Sequence, residues 1–263
     1  MLSVDEFTAI RSVGFEPIGQ VLGVSVHQGG YPYGIRCGAY PGMPAYGPIK
    51  AIPSVPSFLR VARDMALARM VEECVALGGQ GIVDVTVELK PFVSGAIEFS
   101  VVGSAVRAIG PLPRPTYSKP LPVPFTADLT GRDFALLVRN GWMPTRMVFG
   151  LANRIRHTTS ALQFRWGWAN TELTHLSTLI HRTRVDARDD LADEARKAGG
   201  LHVVVRDMSL RQWEQECPGS SGGRDYLCQF TIWGTAVTPV RSTRPSPGNG
   251  VLPILRLSQK GRP

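Results

Sequence analysis

The longest helical pattern in the chain runs from Phe58 to Leu77 and ends at the pair Gly78-Gly79. The segment lacks proline and is rich in good helix formers, and the glycines supply a helix stop. At 100° per residue its apolar side chains fall on two roughly opposite sides. One side carries Phe58, Val61 and Met65, and the other carries Leu59, Leu67, Met70, Cys74 and Leu77. Because one sheet cannot cover both sides, we predict that Leu67, Met70 and Cys74 contact another repeat or subunit.

An alternating pattern follows the glycines. Apolar residues occupy every second position in two runs on either side of a loop over residues 91–96. These residues are Val83, Val85, Val87 and Leu89 in the first run and Ile97, Phe99 and Val101 in the second. A period of two is typical of a strand with one covered face, so the runs predict an antiparallel hairpin under the helix.

The second half of the chain repeats this organisation. A capping box at Ser3 and Glu6 predicts a short first helix. Matching residues recur 127 positions later, and they are Leu2 and Leu129, Phe7 and Phe134, Gly14 and Gly141, Pro17 and Pro144, and Gly23 and Gly150. Gly78 returns as Gly199 after 121 positions, and Gly103 returns as Gly234 after 131 positions. Matches along the whole unit indicate a tandem duplication.

The duplication predicts an α+β protein with two tandem β-α-β-β domains of two layers each. We place domain 1 at residues 1–110, a proline-rich extended linker at 111–127, and a divergent domain 2 at 128–240. Each three-stranded sheet would have exposed edges that other copies of the unit could cover. The long helix of domain 2 has a single apolar stripe, so we expect it to be covered on one side only.

The final segment, residues 241–263, is predicted to be a flexible tail that contains an apolar docking arm. The segment begins with residues rich in Pro, Ser and Gly. Its apolar residues are Val251, Leu252, Ile254, Leu255 and Leu257. We expect this arm to dock on a sheet or on a neighbouring subunit.

Two long loops carry the aromatic residues that we predict to lie in the oligomer interface. They are Tyr31, Tyr33, Tyr40 and Tyr46 in the first copy, and Phe164, Trp166 and Trp168 in the second. Loops of this length in compact domains are usually functional or interfacial. Aromatic residues with glycine suit a protein interface, and stacking on nucleic-acid bases is the alternative.

Charge is distributed unevenly between the halves. Residues 1–110 contain 8 Lys+Arg and 9 Asp+Glu, so the totals of 29 and 21 leave 21 and 12 for the remainder, or a net charge of +9. The arginines are dispersed, which favours a solvated basic surface over nucleic-acid binding. We expect no signal peptide, and the sequence contains no apolar run of membrane-spanning length. Four cysteines without paired spacing predict reduced thiols and a cytoplasmic location.

The candidate chemistry is sparse. His27 and Cys37 share the first long loop and are the only plausible local pair of metal ligands, although two ligands leave a four-coordinate site half filled. Cys74 and Cys228 are expected to be core thiols. The spacing of the residues indicates no catalytic set, so we predict no cofactor and no enzymatic activity, with a metal ion left as a possibility.

The segments Gly14–Gly23, ARDMALARMVEECVALGGQGIVDV and IEFSVVGSAV resemble the YbjQ-like domain, a family labelled as heavy-metal-binding. The second copy keeps GWMP and CQFTIWGTAV. The whole chain resembles the tandem YbjQ-like proteins of actinobacteria. This resemblance implies two-layer β-α-β-β domains that assemble into pentameric rings through added strand pairing, and it implies no established reaction or ligand set.

These observations lead to one main hypothesis and two alternatives. The main hypothesis is a non-enzymatic protein that self-assembles into a homo-oligomeric ring or a larger closed particle. The first alternative is a binding module for a metal ion or an anionic partner such as nucleic acid. The second is an enzyme with a site at a subunit junction.

Overall fold

Two β-sheets, each covered by one long helix, make up the protein. A computed structural model describes residues 2–28, 47–52, 54–91, 96–116, 121–159, 172–217, 222–240 and 254–256. The first half contains α1 (Val4–Ser12), β1 (Phe15–Gln28), β2 (Lys50–Ala51), α2 (Ser54–Ala76), β3 (Gly81–Pro91) and β4 (Ala96–Ala108). The second half contains β5 (Phe125–Thr126), α3 (Gly131–Arg139), β6 (Trp142–Thr158), α4 (Thr174–Lys197), β7 (His202–Glu216), β8 (Arg224–Pro239) and β9 (Ile254–Arg256).

The sheets have matching topologies at their centres. The first sheet has the strand order β1-β4-β3-β5, and the second has the order β2-β6-β8-β7-β9. In each sheet the last long strand pairs antiparallel with both of its neighbours, as β4 does with β1 and β3. The predicted β3–β4 hairpin and the α+β fold class are therefore confirmed.

Backbone geometry repeats between the two copies. Gly14 and Gly141 have φ values of 85° and 77°, and Gly78 and Gly199 have values of 73° and 74°. These left-handed conformations end the short and the long helix of each copy, where a side chain would be strained.

A close approach of helix and strand also repeats. A Cβ atom at Gly23 would lie 1.9 Å from the Ala66 carbonyl oxygen, and one at Gly150 would lie 2.1 Å from the Ala187 carbonyl oxygen. The glycines are 127 positions apart and the alanines 121 positions apart. Each long helix therefore crosses its first strand at the same point, and the two offsets relate the copies residue by residue.

The two copies share a core, and the end of the predicted linker is part of it. Phe15 and Phe134 come from different copies, and their ring centroids are 5.1 Å apart. Leu121 and Phe125 are buried in the same cluster, and β5 pairs with β3. Residues 121–127 of the predicted linker therefore contribute to the junction between the copies, through the buried side chains of Leu121, Phe125 and Ala127.

The short helices α1 and α3 lie side by side at this junction. The Ser12 hydroxyl accepts a hydrogen bond from Arg139 (2.6 Å), and Asp5 forms an ion pair with Arg132. Both pairs join positions that are 127 residues apart, so equivalent residues of the two copies contact each other. The helices are thus parallel and in register.

The docking arm and the aromatic loops are described only in part. Residues 254–256 form β9, which pairs antiparallel with β7 at His202–Val204. The arm residues Val251, Leu252 and Leu257 lie outside the described residues. The same is true of Tyr31, Tyr33, Tyr40, Tyr46, Phe164, Trp166 and Trp168, so their interface roles stay predictions.

Candidate assembly surface

Helix α2 has two apolar sides, but the prediction of which side contacts a neighbour needs correction. Met70 and Cys74 have no exposed surface and pack on their own sheet, together with Ala62 and Ala66. Burial raises the pKa of the Cys74 thiol to about 11. These two residues therefore cannot lie in an interface with another subunit. The small alanines, which allow close contact with the sheet, mark this side of the helix.

The N-terminal half of α2 contacts the second copy. Leu59 is buried in a cluster with Phe149 and Leu151 of β6. Arg63 donates two hydrogen bonds to Glu194 of α4, at 3.0 Å and 2.8 Å, and its guanidinium carbon lies 5.4 Å from the centre of the Phe149 ring. Burial opposes the charge of Arg63, yet the hydrogen bonds and charge of Glu194 raise the pKa of Arg63. Two-point contact between guanidinium and carboxylate is a strong arrangement.

The carboxylates of α4 also cap the outer edge of β6. The Phe149 amide donates to Glu194 (2.9 Å), and the Leu151 amide donates to Asp190 (3.0 Å). Asp190 forms a second ion pair with α2, through Arg60. Free N–H groups at a sheet edge invite pairing with other chains, and these contacts satisfy them.

Strand β2 covers the next part of the same edge. Lys50 pairs with Ile155 of β6 in an antiparallel register. The Ile52 amide donates to the Asn153 carbonyl (2.9 Å). We call this contact of β2 and α2 with β6 and α4 the inter-copy seam. Through it the first copy covers the β6 edge of the second copy.

The first copy carries the counterpart of the covered surface. The Leu22 amide donates to Glu73 (2.7 Å), which repeats the bond from Phe149 to Glu194. Leu22 and Phe149 are 127 positions apart, and Glu73 and Glu194 are 121 positions apart. The same helix carboxylate therefore caps the same strand amide in both copies.

This counterpart is not covered by any strand or helix in the described ranges of the chain. Strand β1 lies at the end of its sheet, and no described strand pairs with its outer edge. Leu22, Val26 and Met65 remain 45%, 56% and 42% exposed. We call this surface the open face, and it consists of Leu22, Val24, Val26, Met65, Arg69 and Glu73. Exposed apolar side chains beside an unpaired strand edge are typical of an interaction surface.

Comparisons with known proteins place the chain in a family. The family described as "Putative heavy-metal-binding" (YbjQ) matches residues 52–109. The chain is also 33% identical, over 96% of its own length and 90% of the relative's, to a Mycobacterium tuberculosis protein named "Encapsulin nanocompartment protein Rv1762c". The chain belongs to the tandem YbjQ-like family. The resemblance predicted from the two sequence copies is thereby confirmed.

The family label makes metal binding a question for this YbjQ-like protein. The described residues contain one cluster of potential ligands that the sequence did not indicate, formed by His157, Cys217 and Asp225. The three side chains are buried, and their ligand atoms lie within 4.8 Å of one another. His157 Nδ1 is 2.8 Å from Asp225 Oδ1. Strand pairing places His157 opposite Asp225, a proximity that residue spacing cannot reveal.

The cysteine of this cluster does not fit a soft metal as it stands. Cys217 is in a disulfide bond, whereas metals bind the thiolate. The prediction that all four thiols are reduced is therefore wrong for Cys217. Cys74 and Cys228 are free and buried, as expected for core thiols.

The predicted ligand pair is described only at His27. Its Nε2 atom lies 3.2 Å from Met65 Sδ, beside the open face. Cys37 lies outside the described residues, so the pair stays a prediction. Among the helices that the structure describes, none is long and apolar enough to cross a membrane.

Proposed function

We propose that this YbjQ-like protein is a non-enzymatic structural protein that self-assembles into a homo-oligomeric ring or a larger closed particle. One observation supports this proposal most directly. The first copy covers the β6 edge of the second copy through the inter-copy seam, whereas no described residue covers the equivalent surface of the first copy, the open face. The name of the mycobacterial relative, which refers to a nanocompartment, supports a role in an assembly of this kind.

The contact between the copies has a direction. Helix α2 lies on β6 and α4, but Leu22 and Met65 remain exposed, so α4 does not lie on the corresponding surface of its own chain. A twofold arrangement would bury both surfaces equally. A one-way contact instead repeats from subunit to subunit, and it gives a ring if the rotation closes.

A second exposed edge supports the larger particle. Beyond Val204, no described strand pairs with the outer edge of β7. Residues 206–214 of β7 are all exposed, including Met208, Leu210 and Trp213 at 56%, 43% and 44%. This edge could join rings that the open face has already built.

The experiment is to replace Leu22 or Met65 with Glu and to measure the mass of each variant by light scattering. A buried carboxylate without a partner is costly, so we expect the assembly to dissociate. Leu201→Glu is the matched control, because Leu201 is 49% exposed and lies outside the open face. Circular dichroism would establish that each variant is folded. Folded Leu22→Glu and Met65→Glu variants that keep the wild-type mass would contradict the proposal.

A further inference from the structure

We infer that the open face of one chain is covered by the outer side of α4 from a second copy of the chain, and that Arg184 of that second copy pairs with Glu73. This inference rests on the proposed self-assembly and identifies the two surfaces that meet. It follows when each residue of the inter-copy seam is replaced by the residue at the equivalent position of the other copy, 121 or 127 positions away.

This replacement identifies the residues of α4 that would contact the open face. In the seam, α2 contributes Leu59, Arg60 and Arg63 to the contact with the second copy. The offset of 121 turns these residues into Ile180, His181 and Arg184 of α4. On the covered side of the seam, the equivalent residues of Phe149, Leu151 and Glu194 are Leu22, Val24 and Glu73 of the open face.

The occupying residues are accessible. His181 and Arg184 are exposed, and Ile180 is partly exposed. Val185 on the same side is an exposed apolar residue, at 38%. By contrast, Asp186, Asp190 and Glu194 already bind arginines of the same chain. The outer side of α4 is therefore available for a neighbour.

The charges of the principal pair are complementary. Glu73 holds the Leu22 amide as Glu194 holds the Phe149 amide, so its carboxylate is fixed in the same way. Neither Glu73 nor Arg184 forms an ion pair with any residue that the structure describes. The arginine and the carboxylate of the seam thus have counterparts of the same charge that form no ion pair with the described part of the chain.

The apolar parts also correspond. Arg63 lies over the Phe149 ring, and its counterpart Arg184 would cover Leu22 with its aliphatic stem. Ile180 would contact Leu22 and Val24, as Leu59 contacts Phe149 and Leu151. These contacts would bury apolar groups that are now exposed to water.

The second ion pair of the seam is not repeated. Arg60 and Asp190 correspond to His181 and Arg69, and these two side chains do not carry opposite charges. Arg69 instead donates to the Val24 carbonyl of its own chain. The interface therefore depends on the single pair of Arg184 and Glu73, which makes a charge-reversal experiment decisive.

The experiment uses the full chain with Glu73→Arg, Arg184→Glu and both substitutions together. Each single variant places like charges in contact and should weaken assembly at least tenfold in native mass measurements across a dilution series. The double variant restores opposite charges and should assemble. An equimolar mixture of the two single variants should also assemble, because each junction then joins opposite charges when the chains alternate.

A charge reversal on α4 serves as the control. Arg182→Glu lies at the position that corresponds to exposed Val61. This control variant should assemble like the wild type.

The outcomes separate this inference from the proposed function. A monomeric wild-type protein would refute the proposed function itself. Assembly of the wild type together with unchanged assembly of both single variants would overturn only the inferred interface. Dissociation of the single variants without rescue in the double variant or the mixture would also overturn it, because the two residues would not then contact each other.

Discussion

At the residue scale, two glycines determine how closely each long helix lies on its sheet. The close approach at Gly23 and Gly150 leaves no room for a side chain, because the helix backbone occupies the position of the Cβ atom. The neighbouring helix residues are small for the same reason. Interiors are packed so tightly that even one added methyl group must displace backbone here.

This contact gives a stability prediction. A Cβ atom at Gly150 would lie 2.1 Å from a carbonyl oxygen of α4, so Gly150→Ala must displace that helix. We expect the free energy of unfolding to fall by about 1–3 kcal/mol, which is typical of overpacking. Urea unfolding would measure it.

Gly110→Ala is the control for this substitution, because a Cβ atom at Gly110 would meet nothing within 4 Å. The urea concentration at the midpoint of unfolding should be the same for Gly110→Ala and the wild type. A Gly150→Ala variant as stable as the Gly110→Ala variant would show that the two layers are not in close contact at this point.

These residues also show what the sequence could predict. The recurrence of Gly14, Gly23 and Gly78 at fixed offsets predicted the duplication, because such positions tolerate few substitutions. The side of α2 that contacts the sheet was assigned incorrectly, since both sides carry large apolar residues. Ala62 and Ala66 indicated the correct side, because their small side chains allow α2 to cross β1 closely at Gly23.

At the element scale, the seam between the two halves is the feature that residue patterns could not predict. Its contacts join α2 to α4 across more than 120 residues, and each depends on where the strand edges lie. Helix α4 was predicted to be covered along its single apolar stripe. In the structure, Asp190 and Glu194 also hold the β6 edge and two arginines of α2.

Removing the principal ion pair should weaken this seam. In the Arg63→Ala variant, Glu194 would keep its strand amide but lose its cationic partner. Because the side chains of Arg63 and Glu194 are only 10% and 20% exposed, we expect a loss of about 2–4 kcal/mol in the free energy of unfolding.

Thermal or urea unfolding would test this loss beside Arg196→Ala, whose partner Asp193 is exposed. Exposed pairs contribute about 1 kcal/mol or less, so that control should change little. Equal effects of the two substitutions would mean that the seam does not stabilise the chain.

At the scale of the whole molecule, the duplication explains why a chain with a filled seam still has an open face. One copy covers the edge of the other, whereas none of the described strands pairs with the outer edge of the covering copy. A ring formed by repeating this contact contains an even number of copies, because each chain contributes two.

The native mass of the wild-type protein, measured by native mass spectrometry, tests this account most directly. The chain has a mass of 28.6 kDa. Because the open face of each chain is filled only by another chain, we predict a single defined species with a mass of at least two chains. A mass of 28.6 kDa at every concentration would contradict this prediction.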